Sequence, residues 1–378
     1  MKTCAMRDKR GENCFNPTLG ATGAAQAPSD RFSSKSRLRG KGRPVGAPSG
    51  EVIVTGGLGF IGSHLVDAYL AAGHRVMIID SNAGAVIDGE DYDADPRCTV
   101  VRQRVEDYLA AGGDFAGADR VIHAASYVGP ASILSRAGRL GHDIIGSTAP
   151  VIDACIRADA PLCMFSSAEV YGRSGVLDEK DDIVVPTQYN TRIEYAIAKT
   201  LAEAMVSNSR QHGLRGMVIR PFNVAGARQS RAGGFVMPTF VQQALAEKPI
   251  TVFAGGEQVR AFIAASDLTG FLIDYMDAAL NCDDIIINVG NPANAVTIME
   301  LAQRVKELLG SPSPIVSVDG RSVHGPYYAE AESFHKIPAL RAATDLGWRP
   351  RIALDELILS TAEYYRARED RRAVNAPL

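Results

Sequence analysis

Residues 52–63 decide the fold, and they read VIVTGGLGFIGS. The first three residues are β-branched, which is typical of a strand buried in a parallel sheet. Gly56, Gly59 and Gly62 follow where this strand turns into an apolar helical stretch that ends at Gly73. Glycine is needed there because the backbone must approach a pyrophosphate without a Cβ, while the helix N-terminus offers free N–H groups to the anion. The stretch therefore predicts a dinucleotide-binding turn.

A second strand, residues 75–79, ends at Asp80, which comes 18 residues after Gly62. A carboxylate in this position can accept hydrogen bonds from both ribose hydroxyls of an adenosine and would repel a 2′-phosphate. The sequence therefore predicts NAD rather than NADP as the cofactor. The residues expected to bind it are Gly56, Gly59, Phe60, Ile61, Gly62, Asp80, Ala124 and Lys199.

Strands and helices alternate through the rest of the chain. Further strands are predicted for short apolar runs at residues 99–101, 120–123, 162–165 and 217–220. A long helix is predicted over residues 130–157. This alternation predicts an α/β fold, a Rossmann-type doubly wound parallel sheet with a smaller α/β substrate-binding lobe. We expect residues 51–222 to form mainly the NAD-binding domain and residues 223–378 to form mainly the substrate lobe, interleaved with it.

The first fifty residues differ in composition from the remainder. They carry ten basic and three acidic side chains, a net charge of +7, whereas the whole chain of 378 residues has a formal net charge of −3. Few aliphatic residues occur there, so the segment cannot bury enough apolar area to offset the entropy cost of ordering. We expect a disordered basic extension over residues 1–50, and a basic arm that touches an anionic partner is the alternative.

Composition and spacing exclude several classes of protein. A net charge of −3 argues against a dedicated nucleic-acid binder, which usually has a strong basic excess. No apolar run reaches the roughly 18 residues that a transmembrane helix needs, so no membrane association is expected. The six cysteines form neither a CxxC pair nor a Cys/His cluster. This pattern predicts no metal site and favours reduced thiols in a cytoplasmic enzyme.

Chemistry-bearing residues follow the strand at 162–165. The next segment, residues 166–172, reads SSAEVYG and lies where sheets of this kind bind ligands. Further along, Tyr195 and Lys199 stand at i and i+4 and share one helix face. A nearby ammonium lowers the pKa of a phenol, so Tyr195 is predicted to act as a base while a hydride leaves to NAD. Ser167 is expected to hydrogen-bond the same substrate hydroxyl.

Taken in order, these motifs resemble the extended short-chain dehydrogenases/reductases, and among them the NAD-dependent sugar epimerase/dehydratase family. The match runs from about residue 51 to residue 368 and includes RPFN at residues 220–223. Within the family, the segment IINVGNP at residues 286–292 and the position of Arg192 resemble the UDP-glucuronate decarboxylase and UDP-apiose synthase branch.

The resemblance implies a role for each site residue and a homodimer built on the long helices. Tyr195 would be the base, with Lys199 as its partner and Ser167 orienting the sugar C4 hydroxyl. Glu169 matches a glutamate that dehydratases and decarboxylases of the family keep. The residues that the resemblance assigns to substrate binding are Arg192, Asn223, Arg260 and Tyr328.

The resemblance further implies a UDP-sugar as substrate and a UDP-glucuronate-type decarboxylase as the enzyme. Oxidation of C4 places a ketone β to the C5 carboxylate, and a β-keto acid loses carbon dioxide readily because the electrons pass into an enolate. Glu169 or Arg260 could serve the C5 side, and re-reduction of the ketone would return a pentose. A uronate 4-epimerase and a catalytically silent NAD-binding regulator are the alternatives. Ala168 stands where 4,6-dehydratases carry an acidic proton donor, which argues against dehydration.

Overall fold

The computed structural model describes residues 50–374 except 88, 188 and 321–334. The predicted N-terminal extension, apart from Gly50, therefore lies outside the described residues. The same holds for Tyr328, which was expected to bind substrate.

Fifteen strands are described, and most are short. In chain order they are β1 (Glu51–Thr55), β2 (Arg75–Ile79), β3 (Cys98–Val101), β4 (Ala118–His123), β5 (Leu162–Phe165), β6 (Gly175–Leu177), β7 (Gly216–Pro221), β8 (Val224–Ala225), β9 (Ile250–Phe253), β10 (Val259–Ala261), β11 (Ile263–Ala264), β12 (Ile286–Val289), β13 (Ala295–Thr297), β14 (Ile315–Val318) and β15 (His335–Pro338).

Eleven α-helices lie between the described strands or follow them. In chain order they are α1 (Phe60–Ala71), α2 (Glu90–Asp93), α3 (Val105–Ala110), α4 (Pro130–Leu134), α5 (Leu140–Ala158), α6 (Thr191–Ser209), α7 (Val236–Leu245), α8 (Ala265–Leu280), α9 (Ile298–Leu308), α10 (Arg341–Asp345) and α11 (Leu354–Val374). None of the described helices is long and apolar enough to cross a membrane.

The central sheet has seven strands in the order β12-β7-β5-β4-β1-β2-β3. Every neighbouring pair is parallel. The order runs outward from β1 in both directions, so the prediction of a Rossmann-type doubly wound sheet is confirmed. The switch point lies between β1 and β4, and ligands of such sheets bind at the carboxyl ends of the strands near this point.

Both faces of the sheet are buried under helices, which explains the continuous apolar run in β1. Val54 packs in one hydrophobic cluster together with Leu65 of α1 and Phe271 of α8. Its neighbour Ile53 packs in a second cluster, with Val151 of α5 and residues of α6. Successive strand residues point to opposite faces, so a strand covered on both sides must be apolar at every position.

A smaller sheet has the order β13-β10-β15-β6. In it β15 pairs in parallel with β10 and with β6, so a segment near residue 176 lies beside one near residue 336. A third hydrophobic cluster contains Phe240, Leu301 and Ile358, which come from α7, α9 and α11. The smaller α/β layer thus takes strands from both predicted parts of the chain, and the domain boundary at residue 222 stays a prediction.

The single helix predicted over residues 130–157 is wrong. The chain forms α4 and α5 there instead, and Gly138 lies between them with a φ of 77°. That angle is in the left-handed region, which an α-helix does not tolerate and which glycine adopts without strain. The break matters for the site because the backbone N–H of Gly138 donates to the Glu194 carboxylate at 2.7 Å, next to Tyr195.

Candidate active site

The glycine turn is sterically closed to any larger residue. Gly56 follows β1 with a φ of +73°, and a Cβ there would lie 2.8 Å from the backbone of Ala125. A Cβ on Gly62 would lie 2.0 Å from the carbonyl oxygen of Gly56. No side chain of the described residues caps α1 at Gly59, so its first N–H groups, those of Phe60, Ile61 and Gly62, keep their capacity to bind an anion.

Asp80 is held beside this turn by two backbone bonds. The N–H of Leu58 donates to its Oδ2 at 3.0 Å, and the N–H of Asn82 donates to its Oδ1 at 2.8 Å. Burial raises the pKa of the Asp80 carboxyl, and these N–H bonds oppose that shift. Each carboxylate oxygen keeps a lone pair for a ribose hydroxyl. Together with the closed glycine turn, this carboxylate fits the adenosine half of a dinucleotide.

Ala124 follows β4 at the same edge of the sheet. Its backbone N–H donates to the Thr55 carbonyl oxygen at 3.2 Å, which joins the ends of β1 and β4. The structure therefore places Ala124 and the glycine turn together, as expected of residues that bind one cofactor.

Ser167 and Tyr195 are brought together by two elements that follow the central sheet. Ser167 begins a short 3₁₀ turn after β5, and its hydroxyl accepts a hydrogen bond from the N–H of Glu169 at 3.2 Å. Tyr195 lies in the first turns of α6, which Asn190 caps by accepting from Ile193 N–H at 3.0 Å. The Ser167 hydroxyl lies close enough to the Tyr195 phenol to lower its pKa, so one substrate hydroxyl can meet both.

Lys199 shares a helix face with Tyr195, as its spacing predicts, but its ammonium bonds to the backbone of another segment. Its Nζ donates to the carbonyl oxygen of Phe165 at 2.9 Å and lies 5.9 Å from the ring centroid of Tyr195. Burial raises the pKa of Tyr195, and the Glu169 charge adds to this against the Ser167 hydrogen bond. The protein groups by themselves therefore raise the pKa of the Tyr195 phenol. The expectation that Lys199 brings this pKa near neutrality is wrong in the absence of a bound cofactor. The Lys199 pKa itself falls to about 8, chiefly through burial.

Glu169 is the centre of a charged cluster. Arg192 binds it with two hydrogen bonds, from Nε at 2.9 Å and from Nη2 at 3.0 Å. The ammonium of Lys336, whose side chain is 4% exposed, forms an ion pair with the same carboxylate. Burial alone would raise the pKa of Glu169, but the charges of Arg192 and Lys336 outweigh it and hold the pKa well below its usual range. Glu169 is thus a fixed anion, which disfavours the expectation that it donates a proton at C5.

Lys336 is a site residue that the sequence analysis did not select. It lies on β15 directly opposite Arg260 of β10. Burial lowers the pKa of Lys336 to about 7 and the Glu169 charge opposes this. The signal in the sequence is weak, because a lysine between His335 and Ile337 is identified as inward-facing only once the strand is known.

Asn223 and Arg260 lie at adjoining strand ends. Asn223 has a φ of 40°, and its Nδ2 donates to the carbonyl oxygen of Ala261 at 3.1 Å. Arg260 is buried, and its Nη1 donates to the Val259 carbonyl oxygen at 2.9 Å. Arg260 lies opposite Lys336 on the neighbouring strand, so its guanidinium adds a cation beside Lys336. Arg192, predicted to bind substrate, contacts Glu169, and its contact with substrate stays a prediction.

Comparison with known proteins identifies the family. Residues 52–290 match the sequence model of the NAD dependent epimerase/dehydratase family. The chain belongs to this family. The resemblance noted in the sequence is confirmed, and with it NAD as the cofactor.

In the described residues, no three His, Cys, Asp or Glu side chains are grouped so that they could hold a metal ion.

Two relatives within the family that this chain is similar to are named as decarboxylases. The UDP-glucuronic acid decarboxylase 1 of Danio rerio is 30% identical over 331 residues, which covers 86% of this chain and 74% of that protein. The UDP-N-acetyl-alpha-D-glucosaminuronate decarboxylase of Bacillus cytotoxicus is 27% identical over 322 residues, covering 84% of this chain and 98% of that protein.

Solved structures of the epimerase/dehydratase family share the fold. The UDP-N-acetylglucosamine 4-epimerase of Methanobrevibacter ruminantium superimposes with a TM-score of 0.73 at 23% identity, covering 85% of this chain and 99% of that one. The dTDP-glucose 4,6-dehydratase DesIV of Streptomyces venezuelae gives a TM-score of 0.72 at 24% identity, covering 86% and 98%.

Proposed function

We propose that this chain is an NAD-dependent decarboxylase of a nucleotide-linked uronic acid, with UDP-glucuronate as its first substrate to test. The observation that carries this proposal is the cluster around Glu169. The Glu169 carboxylate lies there with the cations of Arg192 and Lys336, and Arg260 faces Lys336 from the next strand, so the cluster has an excess of positive charge. A buried excess of cations suits an anionic group of the substrate, and the C5 carboxylate of a uronic acid is such a group. The names of the relatives support the same chemistry.

The first step under this proposal is oxidation at C4. Tyr195 takes the proton of the C4 hydroxyl, and Ser167 holds that hydroxyl by a hydrogen bond. NAD, when held at the glycine turn and Asp80, would supply the acceptor of the C4 hydride and a positive charge that lowers the pKa of Tyr195. Lys199 keeps the segment before Ser167 in place through the Phe165 carbonyl.

The second step is loss of carbon dioxide. The bond between C5 and the carboxylate breaks, and its electron pair passes into the C4 carbonyl, which becomes an enolate. Ser167 and Tyr195 lie where this oxygen forms, and a hydrogen bond to a developing oxyanion is worth several kcal/mol, about 2.7–4 for one donor. A proton then adds to C5. Lys336 is the buried group near Glu169 whose lowered pKa suits proton transfer near neutral pH.

Incubation of the protein with NAD and UDP-glucuronate tests the proposal, with product mass followed by mass spectrometry. We expect a sugar nucleotide that is lighter by one carbon dioxide where the hydride returns to C4 and gives a pentose, and lighter by one carbon dioxide and two hydrogens where the 4-keto sugar is released. A product of unchanged mass would instead identify a uronate 4-epimerase, the second candidate, which the shared first step and the fold of the 4-epimerase neighbours favour. Absence of turnover across a panel of UDP-, dTDP- and GDP-sugars would contradict both enzyme proposals and leave the regulator.

The same proposal includes a homodimer in the cytoplasm. An apolar pocket lies between α5 and α6, and Ile197 and Leu201 at its edge are 39% and 50% exposed. The cytoplasmic location is supported by the described cysteines, which are all free thiols: Cys98, Cys155, Cys163 and Cys282. Light scattering is expected to give twice the mass of one chain, and Leu201→Glu is expected to lower it to that of one chain. A monomer for the unchanged protein would contradict the dimer, and fractionation of cells tests the compartment.

A further inference from the structure

A buried ion pair lies next to Ser166, close to the proposed reaction core, by which we mean Ser167, Tyr195 and Lys199. Arg220 of β7 donates to Glu203 of α6 from Nε to Oε1 at 2.9 Å and from Nη2 to Oε2 at 2.6 Å. The two side chains are 3% and 4% exposed. Glu203 lies four residues after Lys199, so both stand on one face of α6. None of the roles assigned above uses this pair.

The pair holds the residue that precedes Ser167. The Ser166 hydroxyl donates to the Glu203 Oε1 at 2.5 Å, and the Ser166 backbone N–H donates to the Ile219 carbonyl oxygen at 2.8 Å. One position earlier, the Phe165 carbonyl oxygen accepts from Lys199. The backbone that leads into Ser167 is therefore fixed from α6 and from β7.

The pair also contacts the residue that ends the turn containing Glu169. The Arg220 guanidinium lies over the ring of Tyr171, with 4.7 Å from its central carbon to the ring centroid. The Tyr171 hydroxyl donates to Asn288 Oδ1 at 2.7 Å, and Asn288 Nδ2 donates to the carbonyl oxygens of Leu177 and Ala339. The segment from Phe165 to Tyr171 is thus tied at both ends, with Ser167 and Glu169 between the ties.

The titratable groups that face Lys199 come from two elements. On α6 these are the Glu203 carboxylate and the phenol of Tyr195. On β4 it is His123, whose Nδ1 lies 2.8 Å from the Thr55 hydroxyl. Burial, with a smaller effect of the Lys199 charge, lowers the pKa of His123 to about 3, so this imidazole is neutral. Glu203 is the anion that raises the pKa of Lys199 against the effect of burial.

We propose that the Glu203–Arg220 pair is a positioning device of the reaction core, which clamps residues 165–171 between α6 and β7 and supplies the counter-charge of Lys199. This inference rests on the proposed function for its kinetic readout. Glu203 and Arg220 are positioning residues, since they act through Ser167, Glu169 and Lys199. A buried ion pair that served the fold alone would change stability and leave the chemistry of the folded enzyme as it is.

Glu203→Gln separates these two roles, because glutamine keeps the shape and loses the charge. We expect kcat to fall about tenfold, which is part of the roughly 10²–10⁴-fold rate gain that a positioned acid–base group supplies. The KM for UDP-glucuronate and the Kd of NAD are expected to stay unchanged. Loss of the anion lowers the pKa of Lys199, so its ammonium is lost at lower pH. The alkaline limb of the kcat profile is therefore expected to move down by about one pH unit.

Two further variants serve as controls. Glu203→Asp keeps the charge, so its alkaline limb is expected to stay where the unchanged enzyme has it. Asp355→Asn removes a carboxylate from an exposed arginine pair, with Arg304, and is expected to change neither kcat nor the pH profile. A Glu203→Gln enzyme with a lowered Tm but an unchanged pH profile would overturn the proposal.

Failure of the proposed function is distinguishable from failure of this inference. If the unchanged protein turns over no sugar nucleotide, the proposed function fails, and ¹³Cε-labelled lysine titrated by NMR replaces the kinetic readout. Lys199→Arg assigns the resonance of Lys199. The midpoint of that resonance is expected to fall by about one pH unit in Glu203→Gln. An equal midpoint in both proteins would overturn the inference whatever the enzyme acts on.

Discussion

Tyr195→Phe is expected to abolish turnover while NAD still binds. The phenol is buried beside Ser167, and it is the proposed acceptor of the C4 proton. Phenylalanine keeps the ring in the hydrophobic cluster that Tyr195 shares with α5, so the fold is expected to persist. A positioned base contributes about 10²–10⁴-fold to a proton transfer, and kcat should fall by at least that range.

Steady-state kinetics with UDP-glucuronate and calorimetric titration with NAD check this result. Tyr275→Phe is the matched control, because Tyr275 stacks on Phe271 at 6.0 Å in a cluster on the other face of the sheet. It is expected to leave kcat unchanged. Near-normal turnover by Tyr195→Phe would exclude Tyr195 as the base and move that role to another group.

Gly62→Ala is expected to remove NAD binding. The added methyl group would lie 2.0 Å from the Gly56 carbonyl oxygen and 2.8 Å from the Gly57 Cα, so the turn or α1 must move. Both neighbours are backbone atoms, which cannot rotate away as a flexible side chain could. Displacement of the turn misplaces the N–H groups that bind the pyrophosphate, and we expect the Kd of NAD to rise about 100-fold, the equivalent of about 2.7 kcal/mol.

Gly270→Ala is the matched control for this change. Gly270 also lies inside a helix, α8, and a Cβ there would meet no described atom within 4 Å. Alanine loses less backbone entropy than glycine on folding, so this variant is expected to be more stable by about 0.5–1 kcal/mol with an unchanged Kd for NAD. Equal NAD affinities for Gly62→Ala and the unchanged chain would show that the turn does not carry the cofactor.

Much of the fold and part of the site could be predicted because their signals are local. The glycine turn and Asp80 are 18 residues apart, and one strand–helix–strand unit places them together. Tyr195 and Lys199 share a helix face by spacing alone. Alternation of short β-branched runs with helical stretches was enough for the parallel sheet.

The remaining features depend on contacts between distant segments. Lys336 reaches Glu169 only because β15 pairs with both β6 and β10, and no local pattern predicts that pairing. The bond from Lys199 to the Phe165 carbonyl depends on how α6 packs against the end of β5. Burial, which decides the pKa of Tyr195, is likewise a property of the assembled layers rather than of a motif.

The pairing of β15 also has a consequence for biosynthesis. The ribosome releases the glycine turn long before it releases Lys336, since 274 residues separate Gly62 from Lys336. A nascent chain can complete the dinucleotide half of the site while the charged cluster around Glu169 still lacks its ammonium. The charged cluster around Glu169 is therefore completed only after residue 336 has been translated, and the strand that carries Lys336 joins its sheet long after the glycine turn has formed.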